Sequence, residues 1–222
     1  MPGPMVGPYV VLVPTLDAKN FAICGAECSS DQQVTTFNPA ASKTAIIYLG
    51  WCADLTCNNP TSTSDVTSIS NGVDTFVADN FCAGASASLA YKLFRVQSTT
   101  GGSHNITVQW AASKGWYGTT LWSSWSNIAA SPFDQAGCGN GTSTTITAVT
   151  SGNVSQSNEL VTAVCGGGGT VTPGAGFTKL NAAASNLFDM YEVGGTSGST
   201  VTATCTQANH AYTATIGTYK HL

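Results

Sequence analysis

TVTATCT (200–206) and AYTATIGTY (211–219) alternate threonine with small or apolar residues at nearly every step. Successive side chains of an extended chain point to opposite faces. Val201, Ala203 and Cys205 therefore share one face, Tyr212, Ala214 and Ile216 share another, and threonine takes the opposite side of each. The pattern predicts antiparallel strands with an apolar face inward and a threonine face outward. Working back along the chain, NELVTAVC (158–165) groups Val161, Ala163 and Cys165 before the GGGG at 166–169 stops the strand. NITVQW (105–110) groups Ile106, Val108 and Trp110 against Thr107 and Gln109, and SLAYKLFRV (88–96) groups Leu89, Tyr91 and Leu93. Further strands are expected at 44–51, 73–81, 116–126 and 186–193, and a single helical turn near Ala182–Asn186. Short strands separated by Gly, Asn, Ser or Pro predict an all-β chain, an immunoglobulin-like antiparallel β-sandwich of two sheets packed face to face.

Composition agrees. Only 8% of the 222 residues are charged, against about 25% in an ordinary domain. Ser and Thr supply 23 and 31 residues instead. Seven Lys and Arg against eleven Asp and Glu give a net charge of −4, which excludes a phosphate-seeking, nucleic-acid-binding surface. No apolar run approaches the length of a membrane helix, so no membrane span is expected.

Eight cysteines, Cys24, Cys28, Cys52, Cys57, Cys82, Cys138, Cys165 and Cys205, read as disulfides formed in an oxidising compartment. The sequence leaves their connectivity open. Cys24 with Cys28 and Cys52 with Cys57 are expected as local loops, and Cys165 with Cys205 because both fall on inward strand positions. The N-terminus lacks the basic segment and unbroken apolar core of a secretory signal, so an extracellular protein of this sequence is expected as a mature form or an incomplete precursor. Asn105, Asn140 and Asn153 open glycosylation acceptor triplets, and covalent glycans are expected partners.

From about Thr44 to Leu222 the chain resembles a widespread group of uncharacterised bacterial secreted domains with an immunoglobulin-like β-sandwich. The residues carrying the likeness are VTSISNGVDTFVA (66–78), SLAYKLFRV (88–96), HNITVQW (104–110) and SPFDQAG (131–137). They continue with SQSNELVTAV (155–164), GAGFTKL (174–180) and YTATIGTYK (212–220). The resemblance implies a fold and an extracellular or cell-surface setting, and no catalytic residues. The high cysteine content and residues 1–14 depart from the pattern.

Residues 9–13, Tyr9, Val10, Val11, Leu12 and Val13, are apolar on both faces, whereas the other strands read as one-sided. A strand apolar on both faces must be covered on both. Pro4, Pro8 and Pro14 with Gly3 and Gly7 make an extended leader and confine pairing to the stretch between Pro8 and Pro14. The chain is therefore divided into an arm, 1–14, and a sandwich, 15–222. The arm, with 5–14 as donor strand, is expected either to take an edge position in its own sheet or to complete a neighbour's, as donor-strand pilins do. Head-to-tail insertion builds an open homopolymer. The expected function is accordingly a structural subunit of a pilus-like extracellular filament.

The alternative is a secreted carbohydrate-binding or adhesion module. Trp116, Tyr117, Trp122 and Trp125 are the candidate sugar platform, since aromatic rings stack on sugar faces; the competing reading packs these rings between the sheets. No enzyme is expected. His104, His210 and His221 sit in turns or at the chain end, no hydrolase or metal motif is present, and the aspartates are scattered among turns. A carboxylate pair could meet only in the fold. No cofactor or metal is implied.

Overall fold

The computed structural model describes residues 12–23, 32–52, 62–84, 89–111 and 116–222. They form fourteen strands: β1 (Thr15–Ile23), β2 (Gln32–Phe37), β3 (Thr44–Cys52), β4 (Val66–Ser70), β5 (Val77–Ala83), β6 (Leu89–Val96), β7 (His104–Trp110), β8 (Trp116–Ser126), β9 (Ile128–Val149), β10 (Glu159–Gly167), β11 (Thr172–Pro173), β12 (Thr178–Ala184), β13 (Leu187–Gly194) and β14 (Thr202–His221). A 3-10 turn over Thr63–Asp65, capped by Ser62, precedes β4. The expected helical turn at 182–186 is instead the end of β12 and a tight turn. Every strand pairing is antiparallel.

The strands make three sheets rather than the expected two. A central sheet runs β1-β8-β3-β6-β5. A small sheet runs β2-β7-β4. A third runs β11-β14-β10-β13-β12, with β9 on the other side of β14. The central sheet lies between the other two, as β3 shows. Ala45, Ile47, Leu49 and Trp51 of β3 join Phe37, Ile106, Val108 and Trp110 of the small sheet in one core. Ile46 and Tyr48 join Leu160, Val164, Leu180 and Tyr219 of the third sheet in another. The sequence of β3 is apolar at both parities because both its faces are covered. All nine of its residues are buried, and β10 is nearly as enclosed. A sequence apolar at both parities is therefore not peculiar to residues 9–13.

A third core is internal to the third sheet. It holds all nine residues read as inward: Val161, Ala163, Cys165, Val201, Ala203, Cys205, Tyr212, Ala214 and Ile216. The expected strands 200–206 and 211–219 are one twenty-residue strand, β14, whose register on β9 slips between Thr206 and His210. Its first half folds across the sheet, and the Cys165–Cys205 disulfide joins β10 to it. β9 curls with it. A Cβ built on Gly137 or Gly139 would stand 1.7 or 1.6 Å from the carbonyl oxygens of Val149 and Thr147, farther along the same strand, so only glycine permits the curl.

Two expectations about threonine separate here. Thr202 and Thr206 point outward as read, but Thr162, Thr213, Thr215 and Thr218 are buried. Thr162, Thr213 and Thr215 face the central sheet, a layer that alternation within one strand cannot reveal. Tyr48 shares a hydrogen bond of 2.7 Å with Thr162 across that interface.

Candidate assembly interface

The two ends of the central sheet differ. At one end Thr15 is paired with Ser126, and Thr44 with Trp125. The segment expected as an arm, residues 1–14, ends here. Pro14 is buried, while Leu12 and Val13 are 45% and 50% exposed and belong to no strand. The Asn127 amide donates to the Val13 carbonyl at 2.9 Å, and the Leu222 NH donates to the Asn127 carbonyl. Asn127 can do this because it takes a left-handed turn (φ 61°) between β8 and β9, a conformation asparagine tolerates better than most residues. Tyr9, Val10 and Val11 lie outside the described residues.

At the other end Ile23 is paired with Thr119, and Cys52 with Leu89. A cleft of about 410 Å3 opens there between the central and third sheets. Its walls are mainly apolar, with Ile23, Leu89, Ala183, Leu187 and Ala211 around the bare backbone of Gly166–Gly168. The glycines make the space. A Cβ on Gly166 would fall 1.8 Å from the Tyr91 hydroxyl, and one on Gly168 would fall 2.9 Å from the His210 Cβ. β10 continues through Gly167, so the GGGG run shapes the wall of a cleft where the sequence reading saw only the end of a strand. The glycine run is the one mark of this cleft in the sequence.

The edges of the central sheet differ as well. β5 is sealed onto β9 by the Cys82–Cys138 disulfide and by Asn80, whose amide donates to the Gly137 carbonyl at 3.0 Å. β1 has no strand beyond it among the described residues. Phe21 and Ile23, on the side of β1 that faces β12, are 39% and 46% exposed.

Of the expected disulfides, Cys165–Cys205 is present. Cys82–Cys138 is a pairing the sequence did not suggest, because β9 itself was not foreseen. Cys52 is disulfide-bonded, and Cys24, Cys28 and Cys57 lie outside the described residues. Asn105, Asn140 and Asn153 are all exposed. The sugar platform is corrected. Trp122 and Trp125 are 0% and 1% exposed. They point to opposite faces of β8, Trp122 against Phe37 at 4.8 Å between ring centroids and Trp125 against Tyr191 at 4.8 Å. Both faces of β8 are covered by other sheets, which removes both rings from solvent. The side chains of Trp116 and Tyr117 lie outside the described residues.

Ionisable groups meet mostly inside the molecule. Asp79 pairs with Arg95 and accepts from the Tyr219 hydroxyl at 3.3 Å; burial pushes its carboxyl up to about 6 against the pull of Arg95. Glu159 and Asp134 are the carboxylates that come together. Glu159 accepts from the Gln156 NH at 3.0 Å and burial pushes it up to about 7, while Asp134 is held low by the NH and hydroxyl of Ser155. Together they fasten the 155–159 segment to β9. Among the described residues no group of His, Cys, Asp and Glu has the arrangement of a metal site, and no helix is long and apolar enough to cross a membrane. In comparisons with known proteins the chain matches no family model, no curated relative and no solved structure.

Proposed function

We propose that the chain is an immunoglobulin-like, secreted subunit of an extracellular filament, joined head to tail by its N-terminal arm. The observation that carries this reading is the placement of the arm's root and the apolar cleft at opposite ends of the central sheet. An arm leaving one end of a subunit reaches the far end of the next by simple translation, which generates an open polymer and not a closed ring. Tyr9, Val10, Val11, Leu12 and Val13 are the donor residues in this reading, and the cleft beside Gly166–Gly168 is the acceptor. The exposure of Leu12 and Val13 supports it, because neither side chain is packed into the core of its own subunit. The open edge of β1 offers main-chain partners next to the cleft. Burying five apolar side chains at about 1.5–3 kcal/mol each gives a gross term of roughly 10 kcal/mol before ordering costs. The disulfides favour an oxidising, extracellular setting, and the exposed Asn105, Asn140 and Asn153 are available to carry glycans.

Negative-stain electron microscopy of the purified protein tests the reading. The full chain should form filaments, deletion of residues 1–14 should leave monomers or dimers, and Ala211→Glu in the cleft should do the same without unfolding the subunit. Filaments that persist after both changes would reject the reading.

A further inference from the structure

We propose that the donor arm of a neighbouring copy enters the seam between β1 and β12 and runs parallel to both strands. This placement rests on the filament reading above and adds where the joint lies and which way it runs. β1 is the last strand of the central sheet and β12 the last strand of the third, and among the described residues no ladder joins them. The two edges nevertheless lie side by side. Lys19 Nζ of β1 donates to the Leu180 carbonyl of β12. Farther along, Ile23 of β1 and Ala183 and Ala184 of β12 border the same cleft. Both strands therefore run toward the cleft, and the Lys19 side chain bridges the seam at its inner end. Between these points Phe21 and Ile23 are 39% and 46% exposed, and Ala182 and Ala184 are exposed as well. Neither strand carries a charged side chain between Lys19 and the cleft.

Chain direction follows from the same geometry. Residues 1–14 lead into Thr15, at the end of β1 away from the cleft. Copies related by translation bring that end of one subunit to the cleft of the next. The incoming arm then has Val13 at the mouth of the seam, beside Ile23, and Tyr9 innermost. It runs the same way as β1, whereas every pairing among the described residues is antiparallel. The lengths agree. The register of β1 on β8 slips between Leu16 and Ala18 and is continuous from Ala18 to Ile23. Residues 19–23 match the five of 9–13, and a strand of five spans about 17 Å. Tyr9 thereby reaches Lys19, where an ammonium over the phenol ring is favourable. The edge of β1 supplies amides and carbonyls for a parallel ladder. The arm residues 9–13 carry no charge either, so docking desolvates none apart from the Lys19 head at the inner end.

Filaments carrying the photo-cross-linker p-benzoylphenylalanine in place of Tyr9 or Val13 test this, with the linked peptides read by mass spectrometry. Mixing isotope-labelled and unlabelled copies separates links between subunits from links within one. Position 9 should join Lys19 or residues 179–182 of a second copy, and position 13 should join Ile23 or residues 184–187. The reverse order overturns the parallel direction. Links confined to one copy, or made to other strands while filaments form, overturn the seam and leave the filament reading standing. A full chain that forms no filaments overturns both. If the bulky group itself blocks assembly, two point variants decide. Ile23→Asp should raise the concentration needed for filaments by about tenfold or more, because docking buries its charge. Val77→Asp, on the opposite edge strand β5 and 38% exposed in the unaltered chain, should leave that concentration unchanged. Equal effects of the two overturn the placement.

Discussion

The central sheet is packed differently on its two faces. Toward the small sheet the space is filled by rings: Trp51, Trp110, Trp122, Phe37 and Phe94, with Trp51 and Trp110 at 5.5 Å between centroids. Toward the third sheet the contact includes bare backbone and hydroxyls. Gly166 lies under Tyr91, Gly217 lies under Leu93, and Thr162, Thr213 and Thr215 are buried beside them. Rings dominate the first interface, whereas the second combines large side chains such as Trp125 and Tyr48 with main chains that approach closely. Opposite kinds of substitution should therefore damage them.

Trp122→Ala should have the largest effect. It empties a fully buried site and leaves the Thr36 carbonyl without its indole donor, a bond of 2.9 Å. A loss of about 3–5 kcal/mol is expected in urea unfolding; a loss under 1 kcal/mol would mean that the aromatic interface collapses to fill the hole. Gly166→Ala probes the other face by adding volume. Its Cβ would need the space of the buried Tyr91 hydroxyl, and about 1–3 kcal/mol should be lost. A neutral result would show that this interface is looser than its distances indicate.

The smallest effect is electrostatic. Glu159 is raised from 4.5 to about 7 in the folded state, mainly by burial. The folded protein therefore binds more protons than the unfolded chain between those values. The contribution of this group to stability is greatest below about 4.5 and declines as pH rises to about 7. Glu159→Gln should flatten that part of the stability–pH curve measured by thermal melts. An unchanged slope would assign the pH dependence to Asp79 and Asp189.

Much of the fold could be read from alternation. The faces assigned to Leu89, Tyr91 and Leu93, to Ile106, Val108 and Trp110, and to the residues around Cys165 and Cys205 are the faces the structure buries. Alternation reports which residues share a face, not how many layers cover it. Threonine looked like solvent-facing filler, and its burial at Thr162 and Thr215 follows from a sheet supplied by a distant part of the chain. β9 escaped because its Gly, Asn and Ser content matches turn chemistry, although Gly137 and Gly139 serve a close backbone approach within a strand. β1 and β2 were passed over between stronger signals. The cleft is a void between sheets and leaves no mark on any one strand except the glycines that border it.

The Cys82–Cys138 bond fixes β5 beneath β9, while among the described residues the far margin of the same sheet stays open at β1. The sheet thus has a selvedge on one side and loose threads on the other. Any sideways growth by main-chain pairing is directional, beginning at β1 and stopping at the stitched margin, so such a chain has a built-in sense of polarity even before a second copy arrives.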